Sequence, residues 1–191
     1  MKMFKTTLLL ATVALVGFSA PAAPISPGNL VIYRVGDGSA ALGTTATAVF
    51  LDEYTVLGTL VQSIPMPTTG TSELTAVGNS TTEGVISRSQ DGTKLIYTGY
   101  RKDAGLTSPS ADTALVTPRV IGTIGLAGLA NTTVALSDAG GNGSIRSATS
   151  VDGASTFYTS ASAGFVRYIG ICSFAEQRFP VHPLQDAGFI C

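Results

Sequence analysis

The residues able to do chemistry are few, and their types and spacing exclude most catalytic mechanisms. The chain has one histidine, His182, two cysteines, Cys172 and Cys191, and 12 aspartates and glutamates. A hydrolase triad needs a nucleophile, a base and an orienting acid brought together. His182 stands between Pro180 and Pro183, which reads as a solvated loop residue rather than a general base. No G-x-S-x-G elbow occurs, and Gly36-Asp37-Gly38-Ser39 reads as a turn. Glycosidic hydrolysis needs two carboxylates facing each other across a cleft. Asp52 and Glu53 are adjacent, so on a strand they point to opposite faces. Glu83 reaches either of them only through the tertiary fold.

Metal and phosphate chemistry fare no better. One histidine and two distant cysteines do not make a zinc site. Asp138 to Gly143 has the oxygen donors and glycine of an EF-hand loop, but its third position is Gly140 and its twelfth is Thr149. Those positions need a ligand and a bidentate glutamate, so the segment reads as a connecting loop. No glycine-rich run leads into a helix carrying a lysine. The expectation is therefore a chain without catalytic residues, metal or cofactor.

Binding residues are a different matter. Lys+Arg is 11 against Asp+Glu 12, and a chain with no basic surplus is not built to neutralise a phosphate backbone. Nucleic acid is excluded as a partner on that ground. Aromatic residues fall on strands or strand ends, where most are expected to fill the space between sheets. Tyr54, Tyr100 and Arg101 end strands, and are the residues expected to face a glycan or protein ligand. Asn79, Asn131 and Asn142 each open an N-x-Ser/Thr sequon, which marks glycosylation sites in a eukaryotic host.

These residues must be positioned by strands. With 191 residues, 45% of them hydrophobic, the chain is bounded to one ordinary domain with an ample core. Short β-branched and aromatic runs punctuated by Gly, Asp, Asn and Pro predict strands at Leu30–Val35, Thr47–Tyr54, Thr59–Ile64, Gly84–Ser89, Lys94–Gly99, Arg119–Gly125, Thr132–Leu136, Ile145–Ser150, Thr156–Thr159 and Phe165–Ile169. Asp91-Gly92 and Asp152-Gly153 are hairpin turns whose glycines are expected at φ > 0. Arg88 to Tyr100 and Thr149 to Ala161 look like copies at an offset of sixty-one residues, sharing a serine, the Asp-Gly turn and a Tyr-Thr return strand. One more hairpin lies between them. Hairpin plus hairpin is a four-stranded antiparallel meander, the blade of a β-propeller. An incomplete all-β propeller of about two to three blades is the preferred fold, with a β-sandwich as the alternative.

The stretches GNLVIYRVGDGSAAL, TAVFLDEYTVLGTLVQSI and EGVISRSQDGTKLIYTGY, with the later SIRSATS and GFVRYI, resemble a group of uncharacterised secreted repeat proteins of propeller-like architecture. The resemblance runs from Gly28 to Gly170. It implies export and repeated blades, and it brings no catalytic motif.

Residues 1–22 read as a signal peptide: Lys2 and Lys5 precede the apolar run Leu8 to Phe18, and Ala20-Pro21-Ala22 offers small residues for cleavage after Ala22. The run is too short to span a bilayer, so no membrane span is expected after cleavage. Residues 23–170 are expected to form the blades. Residues 171–191 change texture and hold both cysteines and the histidine. Two accounts stand: a genuine tail pinned by a Cys172–Cys191 disulfide, or translation out of frame, which the end of the resemblance near Gly170 favours. The expected function is an exported propeller-type binding module for an extracellular glycan or protein. The alternatives are a fragment of an extracellular hydrolase or lyase whose catalytic residues lie in missing blades, and a structural cell-surface or matrix protein.

Overall fold

The computed structural model describes residues 22–138 and 143–162, and the backbone of Val166–Gly170. The described chain is all-β and mostly antiparallel, with one 3₁₀ turn at Pro109–Ala111. Its strands are β1 (Leu30–Val35), β2 (Ala46–Tyr54), β3 (Leu60–Pro65), β4 (Thr75–Val77), β5 (Ser87–Arg88), β6 (Lys94–Tyr100), β7 (Arg119–Gly125), β8 (Ala130–Leu136), β9 (Ile145–Ser150), β10 (Thr156–Ala161) and β11 (Val166–Gly170).

Three antiparallel meanders follow one another along the chain. In the first, β2 is flanked by β1 and β3. The second runs β5-β6-β7-β8, each strand paired with the next. The third is β9-β10-β11. Short β4 pairs with both β2 and β6 and so joins the first two meanders into one sheet. Among the described residues the sheets do not close into a barrel or a ring.

Alternation along the strands makes the second meander the middle layer. Leu95 and Tyr97 on β6, with Val120 and Ile124 on β7, pack against Val49, Leu51 and Ile64 of the first meander. Ile96 and Ile121 point the other way and meet Ala148 and Phe157 of the third. A sheet covered on both faces reads as a nearly continuous apolar run rather than an alternating one; LIY and RVIGTIG do so. The register also demands a glycine. Tyr97 lies opposite Gly122, and a Cβ there would sit 2.2 Å from the Tyr97 ring. That absence of a side chain lets a fully buried tyrosine lie across β7 and reach the Tyr33 ring, 6.3 Å away between centroids.

The Asp-Gly turns form as expected, Gly92 at φ +74 and Gly153 at φ +62. Each turn is tied by the same serine and aspartate. Ser89 Oγ donates to Asp91 Oδ1 at 2.6 Å, and Ser150 Oγ donates to Asp152 Oδ1 at 3.2 Å. The two turns also touch, since the Gln90 and Asp91 amides donate to the Ser150 and Val151 carbonyls.

Chain direction gives the stack two unlike ends. β2 and β7 finish at the same end, because the segment 22–29 crosses between them. There the Ala23 amide donates to Gln62 Oε1, Ile25 N to the Leu126 carbonyl and Ser26 N to Glu53 Oε1. Among the described residues this end carries the tight turns 55–59, 89–93, 126–129 and 151–155 beside the segment 22–29. The opposite end gathers the long connections 36–45, 66–74 and 101–118, knitted by Ala46 N to Leu106 O, Gly105 N to Ala46 O and Ala104 N to Thr68 O. Long loops held on a rigid sheet are where binding groups concentrate.

Candidate functional site

The structure separates the residues that sequence singled out for ligand contact. Tyr54, half-buried, closes β2 at the tight-turn end, while Tyr100 and Arg101 stand at the loop end. Tyr100 is not ligand-facing at all: it is fully buried. Ending a strand exposes a residue only if nothing covers it, and here Arg119 of β7 lies against the Tyr100 ring and Ile145 of β9 meets its hydroxyl. The Tyr100 hydroxyl donates to Glu83 Oε1 at 2.7 Å and accepts from the Ile145 amide at 3.2 Å. Burial and the neighbouring Glu83 push its hydroxyl well above the usual tyrosine range.

Arg101 is half-buried and committed to two carbonyls, donating from Nη1 to Glu73 O at 3.1 Å and from Nη2 to Thr132 O at 2.6 Å. It is a clasp between the loop end and β8, not a free ligand-binding arm. Asn79 and Asn131 are exposed, as sequons require. Asn142, Cys172, Cys191 and His182 lie outside the described residues, as do positions 139–142 of the EF-hand-like loop.

The carboxylates expected on opposite faces are on opposite faces. Asp52 looks outward, where Arg34 Nε donates to it at 2.5 Å and Ser63 Oγ at 2.5 Å. Burial pushes its carboxyl up, but the guanidinium and hydroxyl outweigh that and hold it below the ordinary range. Glu53 looks inward and accepts from Ser26 N, Asn29 Nδ2 and Gln62 Nε2 at 2.8, 2.6 and 2.7 Å. Those three donors overcome its burial in the same way. Glu83 joins neither of them. Both are structural fasteners, and no pair of carboxylates faces across a cleft in these contacts.

The loop end holds a cluster that sequence reasoning missed. Arg119, 1% exposed, donates to three backbone carbonyls: Thr117 at 2.6 Å, Asp112 at 2.9 Å and Gly143 at 2.6 Å. Burial lowers its hold on its proton relative to a free guanidinium, yet arginine stays charged at any working pH. Its guanidinium also lies 5.3 Å from the Tyr100 ring centroid, within cation–π range. Beside it, Lys102 Nζ and Thr117 Oγ1 both donate to Asp112 Oδ2 at 2.5 Å. These bonds hold the Asp112 carboxyl below its ordinary value.

Together the bonds pin both ends and the middle of the loop 101–118. The Arg101 amide further donates to Pro118 O, and Thr75 Oγ1 to Lys102 O at 2.8 Å. What the loop presents is apolar. A turn closed by Val116 N and Thr117 N on the Thr113 carbonyl carries Leu115 and Val116 at its tip, 79% and 70% exposed. Leu106 and Leu42, on segments joined through Ala46, add further exposed aliphatic surface at this end. Such a tip on a fixed base is suited to fill a pocket on a partner, since it loses little conformational freedom on docking.

Comparison with protein-family models, with curated proteins and with solved structures returns no match. No helix among the described residues is long and apolar enough to cross a membrane.

Proposed function

We propose that the chain is an exported, propeller-type binding module that recognises an extracellular protein through the loop 101–118. The observation carrying this reading is the contrast within that loop. Its base is fixed by Arg119, Lys102 and Asp112, while its tip exposes Leu115 and Val116. Exposed aliphatic groups on a rigid support favour a protein partner over a glycan, whose sugar faces stack on exposed aromatic rings.

Export is supported by Lys2, Lys5, the apolar run Leu8 to Phe18 and the small residues at Ala20 and Ala22. Cleavage after Ala22 leaves Ala23 first, a residue whose nitrogen and carbonyl both bond the Gln62 side chain, and the α-ammonium formed there can keep donating to Gln62 Oε1. Propeller character is supported by successive antiparallel meanders stacked face to face, the middle one four-stranded. Each would be one blade.

The test is a protein and glycan array probed with the full chain and with a Leu115→Ser/Val116→Ser double variant. Selective capture of a protein ligand that the double variant loses by at least about tenfold supports the reading. Glycan-only capture, no capture, or capture indifferent to the double variant overturns it.

A further inference from the structure

At the tight-turn end, remote from the loop 101–118, a cleft of about 350 Å³ opens between the segment 25–31 and the β5–β6 and β7–β8 turns. That volume lies at the lower end of small-molecule sites. Its wall is aliphatic, with Leu30, Leu95, Ile124 and Leu126 among the lining residues. Its charges are of one sign. Arg88 and Lys94 line it, and no aspartate or glutamate does among the described residues.

Arg88 is already oriented. Its Nε and Nη2 donate to the Gly92 carbonyl at 3.0 and 2.8 Å, and this grip depends on Gly92 having no side chain. A Cβ there would lie 2.8 Å from Arg88 Nη2. Among the described residues Nη1 has no hydrogen-bond acceptor and Arg88 forms no ion pair, which leaves Nη1 open to another partner. A fixed guanidinium with free donors is a carboxylate receptor, and the wall around it rewards an aliphatic body. Among the described residues no aromatic ring lines the cleft, so a bare sugar gains no stacking surface from them.

We propose that this cleft binds a small aliphatic carboxylic acid, its carboxylate on Arg88 and its hydrocarbon chain against Leu30, Leu95, Ile124 and Leu126. The site is independent of recognition by the loop 101–118. It stands or falls on its own.

The probe is octanoate, titrated into the full chain by calorimetry, with octanol and octylamine as controls. Saturable octanoate binding is expected below about 10 mM, with octanol at least tenfold weaker and octylamine silent. Arg88→Gln is expected to weaken octanoate about tenfold or more, and Arg88→Lys to recover part of that loss. Leu95→Ser leaves the guanidinium in place and is expected to weaken octanoate as well; circular dichroism checks each variant's fold. No saturable octanoate binding, equal binding of octanol, or an unchanged constant in a folded Arg88→Gln variant overturns the proposal.

Discussion

Gly122→Ala places one methyl group where the stacked sheets have no room for it. Its Cβ would lie 2.2 Å from Tyr97 Cε2 and 2.5 Å from Cζ, closer than any real contact. Tyr97 cannot step aside. It is fully buried, its hydroxyl donates to Met66 Sδ at 3.2 Å, and its ring lies beside Tyr33 in the core between the first two meanders. Gly122 lies where the β7–β8 register shifts, but its φ is not in the left-handed region, so the cost at Tyr97 is the steric one. Overpacking of this kind costs about 1–3 kcal/mol, which for a chain of this size lowers Tm by roughly 2–4 °C per kcal/mol.

A double-mutant cycle isolates the cause. Tyr97→Leu alone is destabilising because it hollows the core. In that background Gly122→Ala is expected to cost less than about 0.5 kcal/mol, giving a favourable coupling of at least about 0.5 kcal/mol. Urea denaturation of the four proteins provides the numbers. A Gly122→Ala cost within error of zero, or simple additivity with Tyr97→Leu, would refute the pairing of these residues and the stacking built on it.

Acid should unfold the protein through its fasteners. Asp52, Glu53 and Asp112 are held below their ordinary values in the fold, so the unfolded chain takes up protons first. Their stabilisation is complete above the usual carboxylate range near about 4 and is lost as pH falls through the folded values; Glu53→Gln should flatten the urea midpoint against pH. Base acts through the tyrosines. Burial pushes the hydroxyls of Tyr33, Tyr97 and Tyr100 upward, so these three add no tyrosinate absorbance near pH 10 until urea unfolds the chain. Ionisation of all six tyrosines in the native state would contradict their burial. N-terminal sequencing of exported material is expected to begin at Ala23, and a start several residues later would remove the bonds from Ala23 to Gln62.

The strands were legible because they carry short-range signals. Leu30–Val35, Arg119–Gly125 and Ile145–Ser150 fall where β-branched runs end at glycine or turn residues, and both Asp-Gly glycines adopt positive φ. β4 was not legible: Thr75–Val77 is three residues long and becomes a strand only by bridging β2 and β6. β5 is shorter than its pattern, since Gly84 at φ +78 breaks the extended backbone and pairing begins at Ser87. The loop-end cluster escaped for a related reason. Lys102, Asp112 and Arg119 are spread over a proline-containing loop with no motif, and only the fold brings Arg119 to the Gly143 carbonyl. Leu115-Val116 did leave a trace, as an aliphatic pair in a segment otherwise punctuated like a loop. Tyr100 was misread because what covers it, Arg119 and Ile145, is distant in sequence.

Recognition through one end of the stack is tested most directly by hydrogen exchange on the full chain, free and bound to the protein ligand selected on the array. Slowed exchange is expected at amides in 101–118 and the adjoining 36–45, with 55–59 and 126–129 unchanged. Protection centred on those tight turns, or on the outward face of β1, β2 and β3, with 101–118 unaffected, would contradict recognition by the loop end.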